Sequence, residues 1–270
     1  MKKIFVLVIG IVLSFLLSFS ISSCKKEKVQ ENQESIEPEG DGMINNAVKD
    51  YDGNTYNAVK LGKQVWMASN LKTTHYADGT EIPLGNMMTD NGSDPHRYYP
   101  GNNSSTVNTY GYLYNWVAVM KNANSSTANP SGVQGACPNG WHVPSDAEWK
   151  ELTDYLSTQP RYQSGGTANI AKALASSSGW DQSTVVNTVG NNQSSNNATG
   201  FGAVPAGKCQ QTPNYFGGCA YFWTATKYGS GTGANDLIAY DRVIRYYSAT
   251  VASDEYDFKR NGMSVRCVRN

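Results

Sequence analysis

The chain lacks an excess of charge of either sign and contains few histidines. Its 270 residues include 22 Lys and Arg against 22 Asp and Glu, with 3 His. Because no basic patch stands out, the sequence excludes the strongly cationic surface by which proteins hold nucleic acid, and we expect no nucleic-acid partner. His75, His96 and His142 have no metal-ligand spacing such as H-x-x-x-H, so we expect neither a metal nor another cofactor.

The sequence also lacks an apolar run long enough to cross a bilayer comfortably. The N-terminal run extends from Ile4 to about Leu17, after two lysines, and is typical of a bacterial export signal over residues 1–23. Ile21-Ser22-Ser23-Cys24 then resembles the lipobox of bacterial lipoproteins, whose cysteine becomes the acylated first residue of the mature chain. The alternative is an ordinary secretory signal with an incidental Cys24.

Lipidation of Cys24 would make the membrane a partner through a lipid anchor. We expect the protein in the bacterial cell envelope, at the outer membrane, facing the periplasm or the cell surface. Residues 24–49 are predicted to form a flexible tether, because residues 25–42 offer no aromatic and almost no aliphatic side chain to bury. The charged residues 25–28 are either a spacer or a sorting signal. Residues 50–270 suffice for one substantial domain.

Cysteine is scarce, and its count fits an oxidising compartment. Apart from Cys24 there are Cys137, Cys209, Cys219 and Cys267, an even number that allows three pairings. We favour the nested arrangement. In it Cys209 and Cys219 close a short loop, while Cys137 and Cys267 tie the middle of the chain to its end.

The best-marked helix begins after Pro144. Ser145 and Glu148 have the spacing of a capping box, in which each side chain accepts a hydrogen bond from the backbone N–H of the other residue. Trp149, Leu152 and Leu156 follow at i, i+3 and i+7 and predict one buried stripe.

Other elements are predicted from shorter patterns. Residues 55–61 and 64–68 predict a β-hairpin with a turn at residues 62–63, residues 167–176 predict a second helix, and residues 110–120 weakly favour another. Residues 181–200 predict a long surface loop. Strands are predicted over residues 201–207, 220–226, 237–247 and 263–268. The expected fold class is therefore α+β.

Several segments, in this order, resemble a known family. DYDGNTYNAVKLGKQVWMASNLKTTHYADGTEIP, YGYLYNW, CPNGWHVPSDAEWKEL, TGFGAVPAGK, YFWTAT and SVRCV are similar to the Fibrobacter succinogenes major paralogous domain over residues 50–270. Members of that family are typically exported bacterial proteins or lipoproteins of unassigned molecular function. VPSDAEW, YFWTAT and SVRCV more distantly resemble the formylglycine-generating group. That likeness implies an elaborated C-type-lectin-like fold with short antiparallel sheets, two helices and long loops, and the nested cysteine order is also lectin-like.

Two classes of function fit these features. The distant resemblance implies an oxidoreductase that uses a close pair of C-terminal cysteines to bind copper, but Cys267 stands alone in its segment, and we find no catalytic motif. We favour a non-enzymatic module that recognises a glycan or an envelope protein, with a purely structural role left open. Tyrosine and tryptophan are abundant, with 17 and 6 residues against 7 Phe, and suit such a surface. The candidate contacts are Tyr221, Trp223, Tyr240, Tyr246 and Tyr247, although Trp223 fits a core position better.

Overall fold

The computed structural model describes residues 38–210, 213–229 and 234–270. The expected export signal, the lipidation site Cys24 and the tether up to residue 37 lie outside the described residues. None of the helices in the described ranges is both long and apolar enough to cross a membrane.

The described chain is an α+β fold built from short elements. The strands are β1 (Gly42–Lys49), β2 (Thr55–Leu61), β3 (Gln64–Met67), β4 (Arg97–Tyr98), β5 (Leu113–Tyr114), β6 (Trp141–His142), β7 (Lys208–Cys209), β8 (Pro213–Asn214), β9 (Cys219–Lys227), β10 (Ile238–Arg245), β11 (Ala252–Phe258) and β12 (Val268–Arg269). The α-helices are α1 (Val107–Tyr110), α2 (Trp116–Met120), α3 (Asp146–Ser157) and α4 (Ala171–Leu174). Short 3-10 turns connect several of them.

The larger sheet has five antiparallel strands in the order β1-β2-β3-β12-β6. The predicted hairpin is confirmed, because β2 and β3 pair directly across residues 62–63, with Leu61 opposite Gln64. The last strand, β12, lies between β3 and β6, so the end of the chain is held inside the sheet.

The predicted tether is too long, since its last eight residues form β1 against β2. β1 is an edge strand with only Ile44 buried, and an irregularity between Ile44 and Val48 breaks the alternation that a hydrophobic pattern needs. Just before it, the Asp41 carboxylate accepts hydrogen bonds from the Gly62 N–H, the Tyr155 and Tyr162 hydroxyls and the Arg161 guanidinium. Asp41 therefore fixes the start of the domain to the β2–β3 turn, to the end of α3 and to the residues just after that helix.

The smaller sheet has three antiparallel strands in the order β11-β10-β9. β9 and β10 agree with prediction to within two residues at each end. β11 is another polar edge strand that the hydrophobic pattern did not predict. The predicted strand at residues 201–207 forms only single bridges, from Ala203 to Ala175 and from Gly207 to Ala220.

The helix start at Ser145 is confirmed. The Ser145 hydroxyl accepts from the Glu148 N–H at 3.2 Å, and the Glu148 carboxylate accepts from the Ser145 N–H at 2.9 Å. Trp149, Leu152 and Leu156 are fully buried and belong to one of the hydrophobic clusters of the core. Of the second predicted helix only one turn, α4, is helical. Residues 110–120 contain β5 as well as the short helix α2.

Residues 263–268 join the two sheets. Val268 pairs with Trp66 of β3 in the larger sheet, while Ser264 exchanges backbone hydrogen bonds with Tyr221 and Trp223 of β9. Between them lies the fully buried Arg266. Only residues 268–269 of this predicted strand form a regular ladder, because the earlier residues divide their hydrogen bonds among several partners.

The Cys137–Cys267 disulfide is confirmed. The Cys209–Cys219 disulfide is wrong, since both residues are buried free thiols. Cys209 is fixed by two backbone hydrogen bonds with Gly262 and faces a small cluster around Tyr98. Cys219 instead belongs to a different and larger hydrophobic cluster, so packing separates the two sulfurs.

We expect Ser145→Ala to reduce the free energy of unfolding by about 1 kcal/mol, because the Glu148 N–H loses its cap. Urea denaturation of the full-length chain in detergent measures the change. Ser177→Ala, at an exposed serine outside the helices, is the matched control and should have no effect beyond experimental error. Equal effects of the two substitutions would contradict the capping role.

We expect a thiol reagent to label Cys209 and Cys219, and neither Cys137 nor Cys267, in denatured but unreduced protein. Peptide mass spectrometry before and after reduction measures this pattern. Removing the disulfide with Cys137→Ala and Cys267→Ala should destabilise the fold by about 4 kcal/mol, as expected for so long a loop. Labelling of Cys267 without reduction would refute the cross-link.

Candidate functional site

A cleft of about 520 Å³ opens on the smaller sheet. Alternate residues of a strand point to the same face, so Tyr221 of β9, Asp241 and Arg245 of β10, and Glu255 and Asp257 of β11 lie on one side. Asp241 is directly opposite Glu255 in the register. The cleft therefore lies on one face of the sheet, where the register shifts on either side of Asp241, and residues from three loops and β7 complete its rim.

Tyrosines form much of the cleft wall. Tyr221 is buried and forms part of the floor, whereas Tyr247 is 55% exposed at the rim. The Tyr246 and Tyr247 rings meet edge to face with centroids 5.2 Å apart. Such rings present an apolar face and a hydrogen-bonding hydroxyl to the same ligand. The tyrosines that line the cleft are Tyr215, Tyr221, Tyr246, Tyr247 and Tyr256, of which Tyr256 is paired with Tyr240 in the register and places its ring against Tyr228, with the centroids 4.2 Å apart.

Two ion pairs hold charged side chains in place along the cleft. The Lys208 ammonium binds the Asp257 carboxylate and lies 4.7 Å from the centre of the Tyr221 ring. Arg245 donates to Glu255 at 2.9 Å. Because each of these charges has a partner, they present ordered donors and acceptors at little cost from unpaired charge.

Asp241 is the exception among these charges. Its side chain lines the cleft but is only 1% exposed, and its Oδ1 atom has no hydrogen-bond partner in the described structure. Burial, followed by the negative charges of Asp257 and Glu255, raises the pKa of Asp241 to about 7, although Lys208 and Arg242 oppose the rise.

The structure places three of the five candidate contacts in the cleft, namely Tyr221, Tyr246 and Tyr247. Trp223 is corrected to a core residue, because it is fully buried and its indole N–H donates to the Tyr114 carbonyl at 2.9 Å. Tyr240 lies outside the cleft, with its ring 5.2 Å from that of Tyr228. It occupies the alternate position to Asp241 in β10, so it points to the other face.

Sequence reasoning missed the charged residues of the cleft. A carboxylate at position 241 within the apolar run of β10 is the one signal that a pattern could have used. Arg245 also lies in β10, and the others lie in a loop, in the short β7 and in the unpredicted edge strand β11, far apart along the chain. The missed charged residues are Asp181, Lys208, Asp241, Arg245, Glu255 and Asp257.

A second, smaller cleft of about 320 Å³ lies between the segment around Met87 and Met88 and the segment around Arg260. Its floor includes Tyr98 and the Cys209 thiol. None of the predicted contact residues lines it, and it has one tyrosine where the larger cleft has five.

Comparison with known proteins settles the family. The family model described as the Fibrobacter succinogenes major domain matches residues 59–269. The chain belongs to this family. Searches of the curated proteins and of the solved structures found no match. The matched range begins within β2 and ends in β12, so this Fibrobacter succinogenes major domain includes the whole cleft, whereas β1 and Asp41 lie before it.

The cysteines of the family domain are poorly placed for thiolate chemistry. Cys267 is in the disulfide, which also removes Cys137 as a partner for His142. Burial raises the pKa of the Cys209 thiol to about 12. Burial also raises the pKa of Cys219, despite opposing contributions from Tyr221, Arg245 and Lys208. A raised pKa keeps a thiol protonated, which is the opposite of what a nucleophilic or metal-binding cysteine needs.

His142 is a buried structural residue of the family domain. Its Nε2 lies 2.6 Å from the Glu148 carboxylate and its Nδ1 lies 2.7 Å from the Asn270 side-chain oxygen. Glu148 also accepts from the Ser131 and Ser145 N–H groups. The pair therefore joins β6 to the start of α3 and to the last residue of the chain, and it lines neither of the two clefts described above.

We expect His142 to make stability depend on pH. Burial lowers the pKa of His142, but the hydrogen bond and charge of Glu148, helped by Asn270, outweigh burial and raise it above 6.5. Since the folded pKa is raised, the contribution is complete below about pH 6.5 and is lost as the pH rises through the folded value. Urea denaturation between pH 6 and 9 should show wild type losing stability relative to His142→Gln. Parallel curves for the two proteins would contradict this role.

Proposed function

We propose that this protein is a lipid-anchored bacterial envelope protein whose cleft binds a glycan without catalysing a reaction. The observation that carries the proposal is the meeting of Tyr221, Tyr246 and Tyr247 with fixed charged side chains in one open cleft. A sugar has hydroxyl groups along its edge and an apolar face of C–H groups. Tyrosine rings and paired charges complement these two features at once.

The side chains of the cleft are already held in place, which supports binding by a preformed site. Lys208 and Asp257 hold each other, as do Arg245 and Glu255, so the polar groups need little reorganisation when a ligand enters. Tyr221 is fixed by burial on β9, and Tyr247 provides an exposed ring at the rim. Little ordering entropy remains to be lost on binding.

We further propose that the fold is an elaborated relative of the C-type-lectin type. The Cys137–Cys267 disulfide, which joins the segment before α3 to the last strand, is the outer pair of the lectin-like cysteine order. The inner pair does not form, because Cys209 and Cys219 are free. The position of β12 inside the larger sheet also brings the end of the domain back beside its first strands.

The envelope location rests on the sequence of residues 1–24 together with this disulfide. A disulfide that closes so long a loop is expected in a protein that folds outside the reducing cytoplasm. No described residue favours the alternative of a formylglycine-generating-like oxidoreductase, because neither free thiol is activated.

We expect Tyr247→Ala to weaken glycan binding about fivefold, because an aromatic ring contact is worth about 1 kcal/mol. A glycan array with the full-length chain in detergent would identify ligands, and titration calorimetry would measure affinity. Tyr51→Ala is the matched control, since Tyr51 is 60% exposed and lies outside the cleft.

The control variant should bind like wild type. An array without any bound glycan would reject the proposed function. Equal affinities of wild type and Tyr247→Ala for a bound glycan would show that another surface of the protein is used.

A further inference from the structure

The charges of the cleft do not balance. Four carboxylates line it, from Asp181, Asp241, Glu255 and Asp257, against two cations, from Lys208 and Arg245. Each cation is already paired, Lys208 with Asp257 and Arg245 with Glu255. Asp181 and Asp241 are left without an ion-pair partner among the described residues.

Of the two, Asp241 is the one built into the site. Asp241 is only 1% exposed, and it lines the cleft. Its Oδ1 has no hydrogen-bond partner in the described structure. A buried carboxylate without a partner is costly, so proteins normally pair it or keep it protonated. Here the buried carboxylate belongs to a residue that lines a space that a ligand can enter.

The neighbours of Asp241 do not supply the missing cation. From β11, Glu255 and Asp257 add negative charge, and from β7, Lys208 is committed to Asp257. Within β10, the adjacent Arg242 points to the other face, where it binds Asp146 at 2.6 Å. β9 contributes the neutral Tyr221 and Trp223 on this face. The raised pKa of Asp241 comes from its burial and from the same neighbouring carboxylates.

We propose that the glycan bound by this cleft carries a protonated amine that pairs with Asp241, which makes amino sugars with a free amino group the ligand class. This inference rests on the proposed function. An ammonium group supplies three donors and the positive charge that the cleft lacks. The Tyr246 and Tyr247 rings favour the same ligand, because ring faces attract cations. An N-acetylated sugar offers an amide instead and leaves Asp241 uncompensated.

A pair of ligands that differ only in this group tests the inference. Glucosamine oligosaccharides with free amino groups and their fully N-acetylated counterparts, of equal length, are titrated into the full-length chain in detergent at pH 6.5. We expect wild type to bind the free-amine form at least about tenfold more tightly, since a charge-assisted hydrogen bond is much stronger than a neutral one. Asp241→Asn should reduce that preference to less than about twofold.

Two further variants complete the design. Asp154→Asn, on the exposed face of α3 outside the cleft, is the matched control and should keep the wild-type preference. Asp181→Asn removes the exposed unpaired carboxylate and should reduce the preference about two- to fivefold, so the inference is still tested if Asp241→Asn does not fold. Thermal unfolding checks each variant.

The outcomes separate the two proposals. Equal binding of both oligosaccharides, or a preference for the N-acetylated form, overturns the inference and leaves glycan binding intact. If neither binds while the array shows another glycan bound, the inference fails alone. If neither binds and the array is blank, the proposed function fails with it. A preference that survives both Asp241→Asn and Asp181→Asn also overturns the inference.

Discussion

The buried guanidinium of Arg266 imposes the strongest constraint on this fold. No carboxylate in the described residues pairs with it, so its charge is met by four oxygens, from Asn70, Met67, Phe201 and Gly202. The Phe201 ring also lies 4.4 Å from the guanidinium carbon. Burial lowers the pKa of Arg266 to about 9, which still leaves it charged at neutral pH. Residues 67–70 and 201–202 must therefore meet around this side chain, because an unsatisfied buried charge is far too costly.

This constraint reaches the cleft through the residues on either side of Arg266. Ser264 holds the backbone of β9 at Tyr221 and Trp223, while Cys267 and Val268 hold the larger sheet and the segment before α3. The floor of the cleft is thus fixed by the same segment that completes the core. Its walls come from β7, β11 and three loops, where charged pairs and tyrosines replace apolar packing. A rigid floor with polar walls is a suitable arrangement for recognising a polar ligand.

The sequence predicted the parts of the fold that depend on neighbouring residues. The Ser145–Glu148 cap spans three residues and the β2–β3 hairpin turns over two, so each carries its own signal. The edge strands β1 and β11 were missed because water satisfies their outer faces and no apolar alternation is needed. The pair Lys208 and Asp257 was missed because only the fold brings the two together. The same limit explains the wrong Cys209–Cys219 disulfide, since proximity along the chain does not decide which side of the core a sulfur faces.

In this cleft, Asp241 is expected to pair with the positively charged group of a bound ligand. A crystal structure of the protein with a glucosamine oligosaccharide at saturating concentration tests it most directly. We expect the sugar in the cleft, with an amino nitrogen within about 2.7–3.2 Å of a carboxylate oxygen of Asp241 and a ring against Tyr246 or Tyr247. Sugar bound elsewhere on the protein, or bound in the cleft with its amino group turned away from Asp241, would contradict it.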